Sequence, residues 1–332
     1  MPVFKNVMVY RIGPDWSATR EQLEEALDKT RFVACGASQE KSIGWVEPRG
    51  ETHGPLVEAV DGHWLLKLMI ESKAVPGSVV RRKADEAIAQ IEATTGRKPG
   101  KKETKALRED ALLALLPMAF PRQSAVLVWI DPQARLLVTD ASSQGKSDEV
   151  VTSLVQAVPG LALTLLQTQV APQAAMTQWL LAQTADELPP TLAVERECEL
   201  KSGDEEQSVV KFTRHNLATD EVRQHIAEGK LPTRLALNWE GRVSFMLTEA
   251  LQLKKIKFLD GVFENTPGEK EDSFDTDLAL TTGELGQLIA DLIEALGGEA
   301  LGVTGPAMTT PASTATASTP AAAATPDDDP PF

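Results

Sequence analysis

Residues 233–248 read TRLALNWEGRVSFMLT, two apolar-alternating runs on either side of Glu240-Gly241. A two-residue turn with glycine second is the commonest way to join antiparallel strands, so this stretch predicts a β-hairpin. Downstream, LKKIKFL (253–259) predicts another strand, and its two-residue alternation puts Lys255 and Lys257 on the face opposite Ile256 and Phe258. TTGELGQLIADLIEAL (281–296) predicts a C-terminal helix. Upstream lies a helix, DEVRQHIAEG (220–229), preceded by residues 176–200, in which no single period dominates.

Further towards the start, SAVLVWID (124–131) and ARLLVTDAS (134–142) predict two strands joined through Pro132. The helix DEVVTSLVQAV (148–158) follows and stops at Pro159-Gly160. Residues 3–11 predict a strand, Ser17 is placed to cap a helix running to Leu27, and short strands are expected around Trp45 and Trp64. A helix from Val79 to Thr94 sets Ala84, Ala87, Ile88 and Ile91 on one face until Gly96, Pro99 and Gly100 break it. A second helix runs from Glu103 to Leu116. The pair predicts a helical hairpin over about 79–116 with RKPGKK (97–102) at its tip. Strands and helices mix without regular βαβ alternation, so the expected fold class is α+β with mixed or antiparallel sheets. Residues 1–300 form the expected folded part. From 303 to 332 the composition falls to Ala, Thr, Ser and Pro, which cannot bury a core and predicts a disordered linker with an acidic tip.

The chain of 332 residues is 42% hydrophobic and 24% charged, ordinary for a globular protein. Its first residues lack a signal-peptide pattern. The longest apolar run, Ala111 to Phe120, is interrupted by Pro117 and falls short of the about 20 residues a membrane span needs. Cys35 and Cys198 are too few for a disulfide framework. These features predict a cytoplasmic location with no membrane partner.

The net charge is −15, but binding depends on where charges sit. Between Arg81 and Arg108 stand nine bases (Arg81, Arg82, Lys83, Arg97, Lys98, Lys101, Lys102, Lys105, Arg108) against four acids (Asp85, Glu86, Glu92, Glu103). From Asp260 to Glu299 eleven acids face the single Lys270. One phosphate-facing surface on an acidic body fits this map; two solvated helix faces of opposite sign are the alternative.

Catalytic patterns are sparse. His53, His63, His215 and His225 form no HExxH and no metal-spaced cluster, so no metal site and no cofactor are expected. Gln144-Gly145-Lys146-Ser147 lacks the glycine a phosphate loop needs, because that position is Asp140. Asp186 with Glu199-Leu200-Lys201 matches a loose nuclease pattern of carboxylates and lysine around a divalent ion. Glu228-Gly229-Lys230 repeats it at a helix end, where glycine is an ordinary terminator. Asp275 and Asp277 are expected in a solvated acidic loop, with cation binding the alternative. No constellation compels catalysis, and a non-enzyme is expected.

Several blocks together resemble the bacterial recombination-associated RdgC family: FKNVMVYR (4–11), GWVEPRG (44–50), LLPMAF (115–120), WID (129–131), LALNW (235–239), LKKIKF (253–258) and TGELGQLIADLIEALGGEA (282–300). They occur in family order over residues 1 to about 300. The resemblance implies an elongated multi-lobed subunit and a ring-shaped homodimer closed by two interfaces. It implies non-specific binding of double-stranded DNA, association with the nucleoid, and restraint of RecA by occupying duplex. Phe120 matches a family aromatic near the ring closure; the alternative is a core phenylalanine under the Pro117–Pro121 turn. The family's basic residue before it is replaced by Met118, with Arg122 following. The DNA-contact candidates are Arg97, Lys98, Lys101 and Lys102 at the tip, Arg81, Arg82, Lys83 and Lys105 along the hairpin, Arg122, Lys211, Arg214, Lys255 and Lys257. Ordinary surface solvation is the alternative for each.

The final residues Asp327, Asp328, Asp329, Pro330, Pro331 and Phe332 resemble the acidic tip of the single-stranded-DNA-binding protein SSB, with Pro330 departing from the usual isoleucine. The resemblance implies a tail that recruits SSB-tip-binding repair proteins and makes a tail-based interaction scaffold a further reading. A solubilising tail and a tail that competes with DNA are the alternatives.

Overall fold

The structure, a computed structural model, describes residues 4–204, 207–259, 261–262 and 273–300. In chain order it contains β1 (Met8–Ile12), α1 (Arg20–Asp28), β2 (Lys41–Val46), β3 (Glu58–Val60), β4 (His63–Lys73), α2 (Gly77–Thr95), α3 (Lys101–Leu115), β5 (Pro121–Asp131), β6 (Leu136–Thr139) and α4 (Gln144–Ala157). Then follow β7 (Leu163–Leu165), α5 (Pro172–Leu181), β8 (Leu192–Ser202), β9 (Val209–Thr213), α6 (Asp220–Ala227), β10 (Lys230–Trp239), β11 (Val243–Thr248), β12 (Leu253–Phe258) and α7 (Ser273–Ala295). The fold is α+β.

The expected hairpin is β10 and β11. Trp239 pairs with Val243 across the turn, and Glu240 and Gly241 both take positive φ, 49° and 68°. That turn matches the right-handed twist of the strands it joins. Around it forms a five-stranded antiparallel sheet in the order β12-β11-β10-β8-β9. The stretch 176–200, which has no dominant period, resolves into the end of α5, a short 3-10 turn at Ala185–Glu187 and β8. A second, seven-stranded antiparallel sheet runs β2-β4-β5-β6-β1-β7, with β3 paired to β4.

Several boundaries differ from expectation: α3, β5 and α4 begin two to four residues early, at Lys101, Pro121 and Gln144. The first strand begins at Met8, because Val7 leaves the sheet to bridge Leu253 at the edge of the other one, with N–H···O bonds of 2.7 and 3.0 Å. The cap of α1 is Thr19 in place of Ser17. Its hydroxyl accepts from the Gln22 backbone N–H at 3.3 Å while the Gln22 side chain accepts from the Thr19 N–H at 2.9 Å, a reciprocal pair that Ser17 has no partner to make. Finally, α7 already includes Asp275 and Asp277, so the expected loop is helical there; Asp275 pairs with Arg49, which also reaches Glu58 at 3.0 Å.

The seven-stranded sheet is apolar on both faces. Met8, Tyr10, Leu66, Leu68, Val126 and Val128 meet Leu23 and Leu27 of α1 and Val150, Val151 and Leu154 of α4. On the other face Val9, Leu65, Trp129 and Val138 join Met176 of α5, Leu285, Leu288, Ile289 and Leu292 of α7, and Leu235, Leu237, Phe245 and Leu247 of the five-stranded sheet. Each such burial contributes about 1.5–3 kcal/mol, so this shared layer binds the two sheets together. Trp239 lies in it with its indole N–H donating to Asp291 at 2.8 Å, which satisfies its one polar atom.

The residues from Thr30 to Phe32 run against β2, with Trp45 N–H donating to Thr30 and Phe32 N–H to Trp45, both at 3.0 Å. A Cβ on Gly44 would stand 2.5 Å from the Phe32 nitrogen and 2.8 Å from the Arg31 carbonyl carbon, and backbone held by two hydrogen bonds cannot retreat. Gly44→Ala should therefore destabilise the protein by about 1–3 kcal/mol, read as a lower denaturant midpoint at unchanged slope.

Candidate nucleic-acid interface

The helical hairpin leaves the seven-stranded sheet after β4 and returns at β5. The β4–β5 ladder runs from Trp64 opposite Ile130 to Lys73 opposite Pro121, so the hairpin springs from its last rung. Ala84 and Ala111 are buried between the helices, with Ala87, Ile88 and Ile91 half-buried along the same face. Gly96 closes α2 in the left-handed conformation, φ 70°, its N–H donating to Glu92 at 2.9 Å.

The nine hairpin bases do not form one patch. From Arg81 to the tip is roughly 24 Å at 1.5 Å per helical residue. Lys98, Lys101 and Lys102 lie exposed at the tip, these three lysines in no ion pair among the described residues. Arg97 beside them is already engaged: its guanidinium forks onto Glu103 at 2.9 and 3.2 Å and holds that carboxyl below its usual value. Lys105 pairs with Glu109 at 3.7 Å. Arg81 and Arg82 are exposed and Lys83 half-buried at the opposite end of the hairpin. Antiparallel pairing of the helices puts that end next to Phe120 and Arg122, the latter exposed opposite Ser72.

Phe120 is not a core residue. Leu116 is buried and anchors a 3-10 turn, Leu116–Met118, after which the chain swings out with Phe120 at 89% exposure. Met118 and Leu113 are exposed with it, at 67% and 51%. The Pro117–Pro121 turn covers Leu116 and leaves the aromatic outside.

A second basic surface lies on the outward face of the five-stranded sheet. Ile256 is buried and Lys255 and Lys257 are exposed as expected, but strict alternation is broken by a bulge. Lys255 takes φ 54° where the ladder to β11 slips, so Leu253 and Ile256, three apart, both face the core. Arg196, Arg214, Lys255 and Lys257 line a groove of about 640 Å³ floored by Ala236, Phe245 and Met246, with Glu195 and Glu197 also on its wall. Lys255 reaches Glu197 at 3.5 Å. On the neighbouring strands Lys211 donates to Glu199 at 2.9 Å, the Thr233 hydroxyl donates at 3.0 Å, and Arg234 stands 3.8 Å away. The Lys211 contact holds the Glu199 carboxyl below its ordinary range, helped by Thr233 and Arg234 and opposed by partial burial. Arg196 and Arg234 were not among the expected residues. Arg234 was legible, since it alternates with Leu235; Arg196 lies in the stretch whose period is obscure.

A family model described as "Putative exonuclease, RdgC" matches residues 3–299. The chain is 39% identical over 304 residues to the Recombination-associated protein RdgC of Dechloromonas aromatica, covering 90% of this chain and 98% of that one. It is 42% identical to the protein of that name from Herminiimonas arsenicoxydans, and 41% to that from Janthinobacterium sp., each over 89% of this chain and 98% of the relative. The chain belongs to the RdgC family.

For this RdgC family member the nuclease-like residues stand in different surroundings. Asp186 sits exposed in the 3-10 turn before β8, and Glu199 on β8 is taken up by Lys211 and Thr233. Among the described residues no three His, Cys, Asp or Glu side chains are placed to hold a metal. Glu228, the C-cap of α6, and Lys230 pair with each other at 3.0 Å across Gly229, whose φ of 89° turns the chain out of the helix. Gln144-Gly145-Lys146-Ser147 forms the first turn of α4, where buried Ser147 accepts from the Tyr10 hydroxyl at 2.9 Å. No helix among the described residues is long and apolar enough to cross a membrane. The acidic tip, Asp327, Asp328, Asp329, Pro331 and Phe332, lies outside the described residues.

Because the folded-state pKa of Glu199 is depressed, its pairing stabilises the protein above the unfolded carboxylate range and is lost as pH falls through the folded value. Lys211→Met should raise that pKa, followed by carboxyl NMR titration, and should flatten the acid limb of the stability profile. An unmoved pKa would assign the hold to Thr233 and Arg234.

Proposed function

We propose that this protein binds double-stranded DNA without reading its sequence, as a homodimer closed into a ring, and restrains RecA-dependent recombination by occupying the duplex at the nucleoid. Membership of a family whose relatives are named recombination-associated supports the setting. The observation that carries the reading is the pair of exposed basic surfaces on an acidic chain. One is the hairpin tip with Lys98, Lys101 and Lys102; the other is the groove with Arg196, Arg214, Lys255 and Lys257. Lysine and arginine against phosphate release counterions and position a duplex without specifying bases. Arg81, Arg82, Lys83, Arg97, Lys105, Arg122 and Lys211 add charge around these two surfaces. Phe120, exposed at the base of the hairpin, is assigned to the dimer contact, where an aromatic anchor suits a small separable interface.

The family description names an exonuclease, and a metal-dependent nuclease using Asp186, Glu199 and Lys201 is the second reading. The engagement of Glu199 by Lys211 and Thr233 speaks for a structural role of that carboxylate. Magnesium-dependent shortening of a labelled duplex would establish the nuclease and displace the proposal.

Two measurements test the main reading. Affinity for two unrelated duplexes should fall equally with salt. Arg214→Gln with Lys255→Gln and Lys257→Gln should make the logarithmic salt slope shallower by about 0.9 for every phosphate that these side chains neutralise. A variant-independent slope removes the groove from the interface. Phe120→Asp should open one contact of the ring: linear duplex is still bound, but retention on closed circular DNA in high salt disappears. Unchanged retention would take Phe120 out of the closure.

A further inference from the structure

The cationic groove continues into a cleft of different chemistry. Val194, Glu195 and Arg196 of β8 line both the groove and a neighbouring cleft of about 490 Å³, so the two adjoin at this strand, and trough here means the pair of them. Beyond Arg196 its walls are the largely buried Trp179, Leu180 and Leu217 with Leu188 and Pro189, and the polar Gln183, Thr184 and Asn216 stand at its rim. A DNA backbone supplies phosphates for the cationic half and nothing for the apolar one. A ligand that fills both halves carries consecutive negative charges beside an apolar end. This chain contains such a segment, Asp327-Asp328-Asp329 followed by Pro330-Pro331-Phe332.

We propose that residues 327–332 dock in this trough, with the aspartates against Arg196, Arg214, Lys255 and Lys257 and the Pro-Pro-Phe end against Trp179 and Leu217. Charge complementarity survives the acids on the wall, since four bases stand against Glu195 and Glu197, and Glu197 is partnered by Lys255. The connection is long enough. Ala300 is fixed to Gln167, and Leu296 to Val170, by backbone bonds of 2.9 Å immediately before α5. The cleft lies at the far end of that helix, whose ten residues span roughly 15 Å. Residues 301–326 can extend to on the order of 90 Å at about 3.3–3.6 Å each. Tethering also raises the local concentration of the segment towards about millimolar, so weak intrinsic affinity suffices. The docked segment shields the groove from polyanions. That consequence rests on the DNA-binding reading above; the docking itself does not.

The test uses a fluorescein-labelled peptide of residues 325–332, TPDDDPPF, and the full chain carrying D327N, D328N and D329N, followed by anisotropy without DNA. Saturable binding at low salt is expected, weakened about tenfold by Arg214→Gln with Lys255→Gln and clearly weakened when the peptide carries Phe332→Ala. The unmodified chain should bind the peptide less well than the neutralised one, because its own segment already holds the trough. Circular dichroism confirms that the surface variants fold. Absence of saturable binding, indifference to these changes, or equal affinity for the two chains would overturn the docking. In a separate arm, the neutralised chain should bind duplex more tightly at low salt. Peptide binding with unchanged DNA affinity upholds the docking and removes the groove from the DNA surface.

Discussion

The packing of α7 and α5 between the two antiparallel sheets is the constraint on which the rest of the molecule depends. Leu285, Leu288, Ile289 and Leu292 of α7 meet Trp129 and Val138 from one sheet and Leu235, Phe245 and Leu247 from the other. Period-two alternation then leaves one face of the five-stranded sheet with no apolar partner to find. That face is free to carry Lys211, Arg234, Lys255 and Lys257. The basic groove is thus a by-product of where the core lies, and the covering of one sheet face is what makes the other available to a polyanion.

Charge follows the same division. With −15 overall, the molecule repels polyanions at long range except where bases gather. Several of those bases are partly neutralised by neighbours: Arg97 by Glu103, Lys211 by Glu199, Lys255 by Glu197. Such pairs are exposed and individually weak, so they yield readily to a denser array of negative charge. Lysines without a partner among the described residues, Lys98, Lys101 and Lys102, remain at the hairpin tip, on an element separate from the acid-rich α7.

Much of this was legible in the sequence where one period holds. The turn at Glu240-Gly241, the helical hairpin with its glycine stop, and the opposed faces of Ile256 and Lys257 all follow from local rules. Where the outcome depends on partners distant in sequence, local rules fail. β8 was obscure because Glu195, Arg196 and Glu197 stand opposite the single residue Ala236 where its ladder to β10 slips, and this charged run interrupts the apolar pattern between Val194 and Cys198. Asp275 looked like loop because the arginine that fixes it, Arg49, lies on a distant segment. Phe120 was ambiguous since a phenylalanine beside two prolines fits a core or an anchor equally, and only the burial of Leu116 in its stead separates them.

The manner in which the hairpin is mounted has a consequence for how such a molecule can vary. Both of its ends leave adjacent strands at one rung, Lys73 opposite Pro121, and the remainder of that ladder is built without it. Its two helices bury chiefly against each other, through Ala84 and Ala111. Adding or removing matched helical turns would move the tip by about 5.4 Å per turn and disturb no pair in either sheet. The arm is a gauge that can be reset independently of the body carrying it, so the reach of its tip and the stability of the fold are free to evolve apart.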